Sequence, residues 1–245
     1  MMDAMITEQL YRNDAYLRDC SARVLAVNEP GGIVLDRTVF YAASGGQPGD
    51  TGVLEIEGEQ ACPITATIYA ADRATILHVP EAGGPRPRLG QAVRAVLDWN
   101  TRNRLMRMHT CLHLLCALVK YPVTGGQIGA AESRLDFDIL DASAVDKDAL
   151  TAALNALIAA DHRVAERYIS DAELDANPGL VRTMSVQPPR GSGKVRLIEI
   201  GEAGEIDLQP CGGTHVKSTA EIGRVVVGKI EKKGRLNRRI RVGLA

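Results

Sequence analysis

The stretch "NTRNRLMRMHTCLHLLCALVKY", residues 100–121, is where the period of the chain changes. Leu105, Met108, Leu112, Leu115 and Val119 recur every three or four residues, which predicts a helix with one apolar stripe. Asn100 is placed to cap its start. His109 and His113 lie four apart, so on a helix they project from one face about a turn apart, beside the stripe and toward the body of the domain.

Upstream, from Ala22 to about Leu97, the text is short apolar runs broken by turn residues. "ARVLAVNEPGG", "GIVLDRTVFY", "TGVLEIEGEQ", "ITATIYAADR", "ATILHVPEAGG" and "QAVRAVLDW" read as six strands at barrel-like spacing, punctuated by "EPGG", "SGGQPGDTG" and "AGGPRP". Residues 1–97 are therefore expected to form a small β-barrel domain. Downstream, strands and helices mix. "SRLDFDIL" alternates as a strand, and Asp146 to His162 carries Leu150, Leu154, Leu157 and Ile158 at helical spacing. "RVAERYIS" is a further strand, and Ser170 with Glu173 forms a capping box. "KVRLIEI", "EIGRVVVGKI" and "RRIRVGL" close the chain as strands. The expected class is α+β, a barrel at 1–97 followed by an α+β domain at 98–245.

Composition is that of an ordinary globular protein: 245 residues, 45% hydrophobic, 24% charged, net charge −1. Aromatics at 4% leave little for a base-stacking platform, and the balanced charge argues against a protein that coats nucleic acid. Five irregularly spaced cysteines make a poor disulfide framework and fit a reducing compartment. The polar N-terminus lacks the order of a secretory signal, and no apolar run approaches a membrane span, so a cytoplasmic, soluble protein is expected.

A second segment completes what the helix begins. "DLQPCGGTHVKST", residues 207–219, places Cys211 and His215 four apart around two glycines. With His109 and His113 they supply three imidazole nitrogens and one thiolate, a donor set suited to Zn2+. A lone histidine or cysteine is more often an ordinary packed side chain. Here, however, three of only five histidines fall within the two motifs, which favours a shared metal over coincidence. His78 and His162 have no partner pattern. Cys111 points off the histidine face, and Cys116 reads as core.

"HTCLHLL" followed a hundred residues later by "CGGTHV" resembles the editing domain of alanyl-tRNA synthetase and its free-standing relatives, the AlaX alanyl-tRNA editing proteins. "FYAASGGQPGDTG" (40–52) resembles the Gly-rich motif of the barrel preceding that domain, with Ala43 where the family commonly has an acidic residue. "TGGQIGAAESRLDFD" and "STAEIG" are similar to further family segments, so the likeness spans nearly the whole chain in the two-domain order of the medium-length AlaX form. It implies a zinc-containing editing domain of the threonyl/alanyl-tRNA synthetase second-additional-domain type. The implied reaction is hydrolysis, in trans, of mischarged tRNA(Ala), chiefly seryl and secondarily glycyl. The chain is short for an alanine-activating domain plus a tRNA-recognition domain, and "SGGQPGDTG" lacks the ending of a phosphate loop, so no ATP is expected.

The resemblance matches Gln127 to a glutamine of the family's editing pocket, a candidate to contact the aminoacyl group. Thr110, beside His109, is a candidate to cap or line the pocket. Asp136 and Asp138 alternate with Leu135 and Phe137, and Asp207 is placed to buttress a ligand histidine or to serve as a turn aspartate. Four protein ligands ordinarily close a tetrahedral site, leaving open whether the ion loosens a ligand, expands its coordination, or positions substrate. Three basic segments are candidates for a phosphate-contacting face: Arg102, Arg104 and Arg107; Arg190, Lys194 and Arg196; and the tail, with Lys232, Lys233, Arg235, Arg238 and Arg239. Two alternatives stand beside the editing hydrolase. One is a non-catalytic tRNA-binding module stabilised by zinc. The other is a hydrolase for another mischarged tRNA, such as Ser-tRNA(Thr).

Overall fold

In the computed structural model, which describes residues 7–28, 31–139, 145–183 and 193–245, the chain forms two compact units, Met1–Asn103 and Arg104–Ala245. Glu29 and Pro30 of the first expected turn, Leu140 at the end of "SRLDFDIL", and Arg190 lie outside the described residues.

In the first unit a two-residue strand, β1 (Glu8–Gln9), pairs in parallel with β4 (Arg37–Thr38) beside the main sheet. The main sheet comprises β2 (Asp19–Val27), β3 (Ile33–Leu35), β5 (Gly52–Glu55), β6 (Cys62–Tyr69), β7 (Ile76–Pro80) and β8 (Ala92–Leu97). It closes on itself in the order β2-β3-β7-β6-β5-β8, so no barrel strand presents an open edge. Alternation does the packing: Val93, Ala95 and Leu97 of β8 point inward with Val24, Leu35, Leu54 and Ile64, while Ala92 and Arg94 face out. His78 is fully buried there, its Nδ1 3.0 Å from Ile33 O and its Nε2 2.8 Å from Thr38 Oγ1. Burial pushes it down to about 4, which makes it a neutral structural histidine.

The Gly-rich segment joins β4 to β5. Gly45 and Gly46, at φ 56° and 84°, make the turn that lets Ser44 and Gln47 exchange backbone hydrogen bonds. At Gly49 a Cβ would stand 1.8 Å from Thr67 O, so only glycine fits against that strand. Asp50 then fastens the loop. It accepts from Tyr41 N at 2.6 Å, and its buried carboxylate is gripped by Arg102, whose Nε lies 3.0 Å from both oxygens. Arg102 also donates to Ala15 O and Val39 O, at 2.9 and 2.7 Å.

Helix α1 (Trp99–Leu118) starts one residue before Asn100, and Asp98 caps it, accepting from Thr101 N at 3.2 Å. A stripe is also too narrow a description. Leu105, Met106, Met108, Cys111, Leu112, Leu114, Leu115 and Cys116 are all buried, and from Met108 to Cys116 the helix is enclosed on every side. Burial pushes the Cys111 and Cys116 thiols up to about 12, which leaves both inert.

Among the described residues, the second unit holds two sheets. One has the order β14-β15-β10-β9, from β9 (Val123–Gln127), β10 (Glu132–Asp138), β14 (Val225–Lys232) and β15 (Asn237–Leu244). The other is β11 (Val164–Ile169), β12 (Val195–Ile200) and β13 (Asp207–Pro210), all antiparallel. Helix α2 (Lys147–Ala159) is capped by Asp146, which accepts from Ala149 N at 2.7 Å, and it buries Leu150, Leu154 and Ile158. The Ser170–Glu173 capping box forms at the start of α3 (Asp171–Ala176). β9 escaped the sequence reading because two glycines carry no strand signature.

Candidate metal centre

Two elements build the cluster. Helix α1 presents His109 and His113 one turn apart, and the segment after β13 turns through Gly212 and Gly213 to present Cys211 and His215. One donor atom from each lies within 4.8 Å of every other. Cys211 Sγ is 3.4 Å from His109 Nε2 and 3.3 Å from His215 Nε2, and all three imidazoles are at least nine-tenths buried. Ligand atoms around tetrahedral zinc stand roughly 3.3–3.6 Å apart, so the two contacts of Cys211 match such an ion, and the donor types suit it.

The imidazoles are oriented from behind. A carboxylate can only accept, so the 2.8 Å contact between His113 Nδ1 and Asp207 Oδ2 puts the proton on Nδ1 and turns the Nε2 lone pair to the cluster. Asp207 is itself buried and accepts from Gln209 Nε2 at 2.8 Å. It is thus a buttress and not a turn residue.

Thr110 does the same for His215. Its hydroxyl donates to Met106 O at 2.9 Å, which leaves the oxygen to accept from His215 Nδ1 at 3.2 Å and Val216 N at 3.3 Å. Fully buried, Thr110 stands behind His215. Burial alone raises the Cys211 thiol, but His109 and His215 beside it outweigh that and hold it well below the ordinary thiol range.

The other candidate residues lie elsewhere. Gln127 is at the exposed end of β9, where its Oε1 accepts from Arg134 Nε at 3.3 Å. Leu135 and Phe137 enter the core as the alternation implies. Asp136 is held between Arg134 and Arg239, at 2.7 Å from each, and Asp138 is half-buried. The basic segments are depleted by internal pairing. Arg102 is buried against Asp50, Arg107 donates to Ile222 O at 2.9 Å, and Arg104 is exposed. In the tail, Arg238 is buried, Arg239 is held by Asp136, and Lys233 pairs with Glu231 at 2.8 Å. Lys232 and Arg235 are exposed. Arg196 was read as a phosphate contact. It instead donates to the carbonyls of Cys211 and Gly213, a role that nothing in the sequence signals.

Fold and site together define a class. Residues 15–101 match the family described as class II (A) tRNA synthetases, and residues 195–241 match the threonyl and alanyl tRNA synthetase second additional domain. Both matched segments are tRNA synthetase modules. It is 34% identical to the alanyl-tRNA editing protein AlaX-M of Methanosarcina mazei over 96% of this chain and 95% of that protein. The AlaX-M of Saccharolobus solfataricus is 31% identical over 96% of this chain and 98% of its own length. The alanine–tRNA ligase of Pyrobaculum arsenaticum is 34% identical over 95% of this chain but only 26% of the ligase. The chain belongs to the AlaX-M family of alanyl-tRNA editing proteins.

Proposed function

We propose that this protein is a zinc-dependent deacylase that acts in trans on mischarged tRNA(Ala), releasing serine and, secondarily, glycine, in the cytoplasm. The observation that carries this reading is the cluster of buried His109, His113 and His215 around half-buried Cys211 in a chain of this family. No helix among the described residues is long and apolar enough to cross a membrane.

The chemistry of alanine selection explains the need. A pocket built for alanine's methyl group rejects serine by only about a hundredfold, because an added hydroxyl is poorly excluded. A second site that hydrogen-bonds the hydroxyl leaves a buried polar group unpaired when alanine enters, so correctly charged tRNA is spared.

His109, His113, Cys211 and His215 would hold the ion, which when bound supplies a Lewis acid able to polarise the ester carbonyl or orient the aminoacyl group. Asp207 and Thr110 keep the Nδ1 protons of His113 and His215 turned away from it. Gln127, exposed at the end of β9, is assigned contact with the aminoacyl group, and Lys232 and Arg235 are assigned contact with phosphates.

A deacylation panel of serine, glycine and alanine esters on tRNA(Ala), with serine on tRNA(Thr), tests the assignment. Serine is expected to leave tRNA(Ala) at least about a hundredfold faster than alanine. Gln127→Ala is expected to lower that ratio, and a variant with both rates unchanged removes Gln127 from the pocket. The closed four-ligand set also suits a purely structural ion. Chelation that stops deacylation while circular dichroism stays native excludes the non-catalytic reading.

Binding of the acceptor end is expected to be salt-dependent through the tail. Replacing Lys232 and Arg235 together by alanine removes two exposed cations and should flatten the slope of log K against log salt by about 1–2. The serine-to-alanine preference should survive, since phosphate contacts position without reading the amino acid. An unchanged slope in a filter-binding titration refutes the assignment.

A further inference from the structure

The segment that carries two of the four candidate ligands is buried from Gly213 to Val216 and bonded to Thr110 at His215 and Val216, but its start, Cys211 and Gly212, is only half-buried. It runs through consecutive glycines, which lose the most conformational freedom on ordering. At Gly212 a Cβ would meet nothing within 4 Å, so packing does not confine the chain there. Hydrogen bonds do, and they converge on one side chain.

Arg196, the second residue of β12, holds Cys211 from two directions. Its carbonyl accepts from Cys211 N at 3.2 Å, the bond that follows the last rung of the β12–β13 ladder. Its guanidinium returns to the same residue, donating from one terminal nitrogen to Cys211 O at 2.8 Å and to Gly213 O at 2.9 Å. The other terminal nitrogen donates to Glu166 Oε1 on β11 at 2.6 Å, anchoring the fork to the next strand. The side chain is 9% exposed and that of Glu166 33%, so the anchor is reachable by solvent while the fork is not. Held in this way, the turn places Gly213 N 3.5 Å from Cys211 Sγ, which gives the sulfur a donor from its own loop.

The geometry points to Arg196 as the positioning residue that fixes the Cys211–Gly213 turn, and so the placement of Cys211 and His215 for the metal, with Glu166 as its anchor. This rests on the metal reading of the cluster. Lysine is no substitute, because one ammonium on a flexible stem does not reproduce a planar fork spanning two carbonyls and a carboxylate.

The experiment measures zinc affinity of the intact chain by chelator competition. In parallel it follows amide exchange of the 211–214 segment in metal-free protein and the metal-free melting midpoint. Arg196→Met is expected to weaken zinc about 10–100-fold, the usual effect of removing a residue behind a ligand. Exchange at 211–214 should be at least about tenfold faster, with the midpoint little changed. Arg196→Lys should recover only part of the loss, and Glu166→Gln should weaken zinc by about threefold.

Wild-type affinity and exchange in folded Arg196→Met overturn the inference, as does full rescue by Arg196→Lys. If Arg196→Met does not fold, Glu166→Gln decides, and wild-type affinity and exchange there overturn it. If the wild-type chain takes up no zinc, the metal reading falls by itself and the brace stands or falls on the exchange rates.

Discussion

The zinc content of a His113→Ala/Cys211→Ala variant is expected to fall from one ion per chain to below about a tenth, with deacylation of seryl-tRNA(Ala) reduced by about a thousandfold or more. Each substitution removes one ligand from a different element, His113 from α1 and Cys211 from the turn after β13. The two remaining imidazoles, His109 and His215, lie with ring centroids 4.3 Å apart, and a pair of neutral donors does not retain zinc against buffer. The loss should not be one of fold. The apolar enclosure of α1, from Leu105 to Cys116, is untouched, so far-ultraviolet circular dichroism should stay native. Metal analysis after gel filtration gives the first number and a single-turnover assay the second. Stoichiometric zinc in the double variant would falsify the ligand assignment.

Breaking the buried ion pair of the barrel unit should have the largest effect on stability. Arg102 is fully buried and Asp50 is 2% exposed, so neither charge can turn to water when its partner is lost. Arg102→Met leaves the Asp50 carboxylate its bond from Tyr41 N but not the guanidinium, and it takes a donor from the backbone oxygens of Ala15 and Val39. Removing one member of a buried pair costs about 3–5 kcal/mol. That is a large share of what holds a domain of this size. Urea denaturation followed by tryptophan fluorescence measures it, with Trp99 as the single reporter. Adding Asp50→Asn to Arg102→Met should recover part of the loss, because a neutral amide is cheaper to bury than a charge. A cost below about 1 kcal/mol would mean that water reaches the pair.

What could be read along the chain was whatever repeats with a short period. The six barrel strands were legible because apolar alternation and glycine turns are local signals, and the mixed second unit followed from the change of period at residue 100. The four clustered side chains were legible for the same reason. His109 and His113 share a helix face by geometry, and Cys211 and His215 are four apart in a stretch with few other donors. β9 was not legible, because Gly125 and Gly126 pair through their backbone while offering no side-chain pattern.

Tertiary structure alone decided which charges are available. Arginine looks the same in sequence whether it meets a phosphate, a carboxylate or a carbonyl. Only the fold brings Asp50 to Arg102 across 52 residues, Asp136 to Arg239 across 103, and the carbonyl of Cys211 to Arg196 across 15. Likewise the sequence leaves Asp207 between a buttress and a turn residue, and does not say which histidine Thr110 meets. The bonds they make to His113 and His215 span 94 and 105 residues. Hydrogen bonds of that reach depend on how the elements pack and leave no periodic trace, whereas the spacing of ligands on one helix or within one turn is set by covalent geometry and can be counted along the chain.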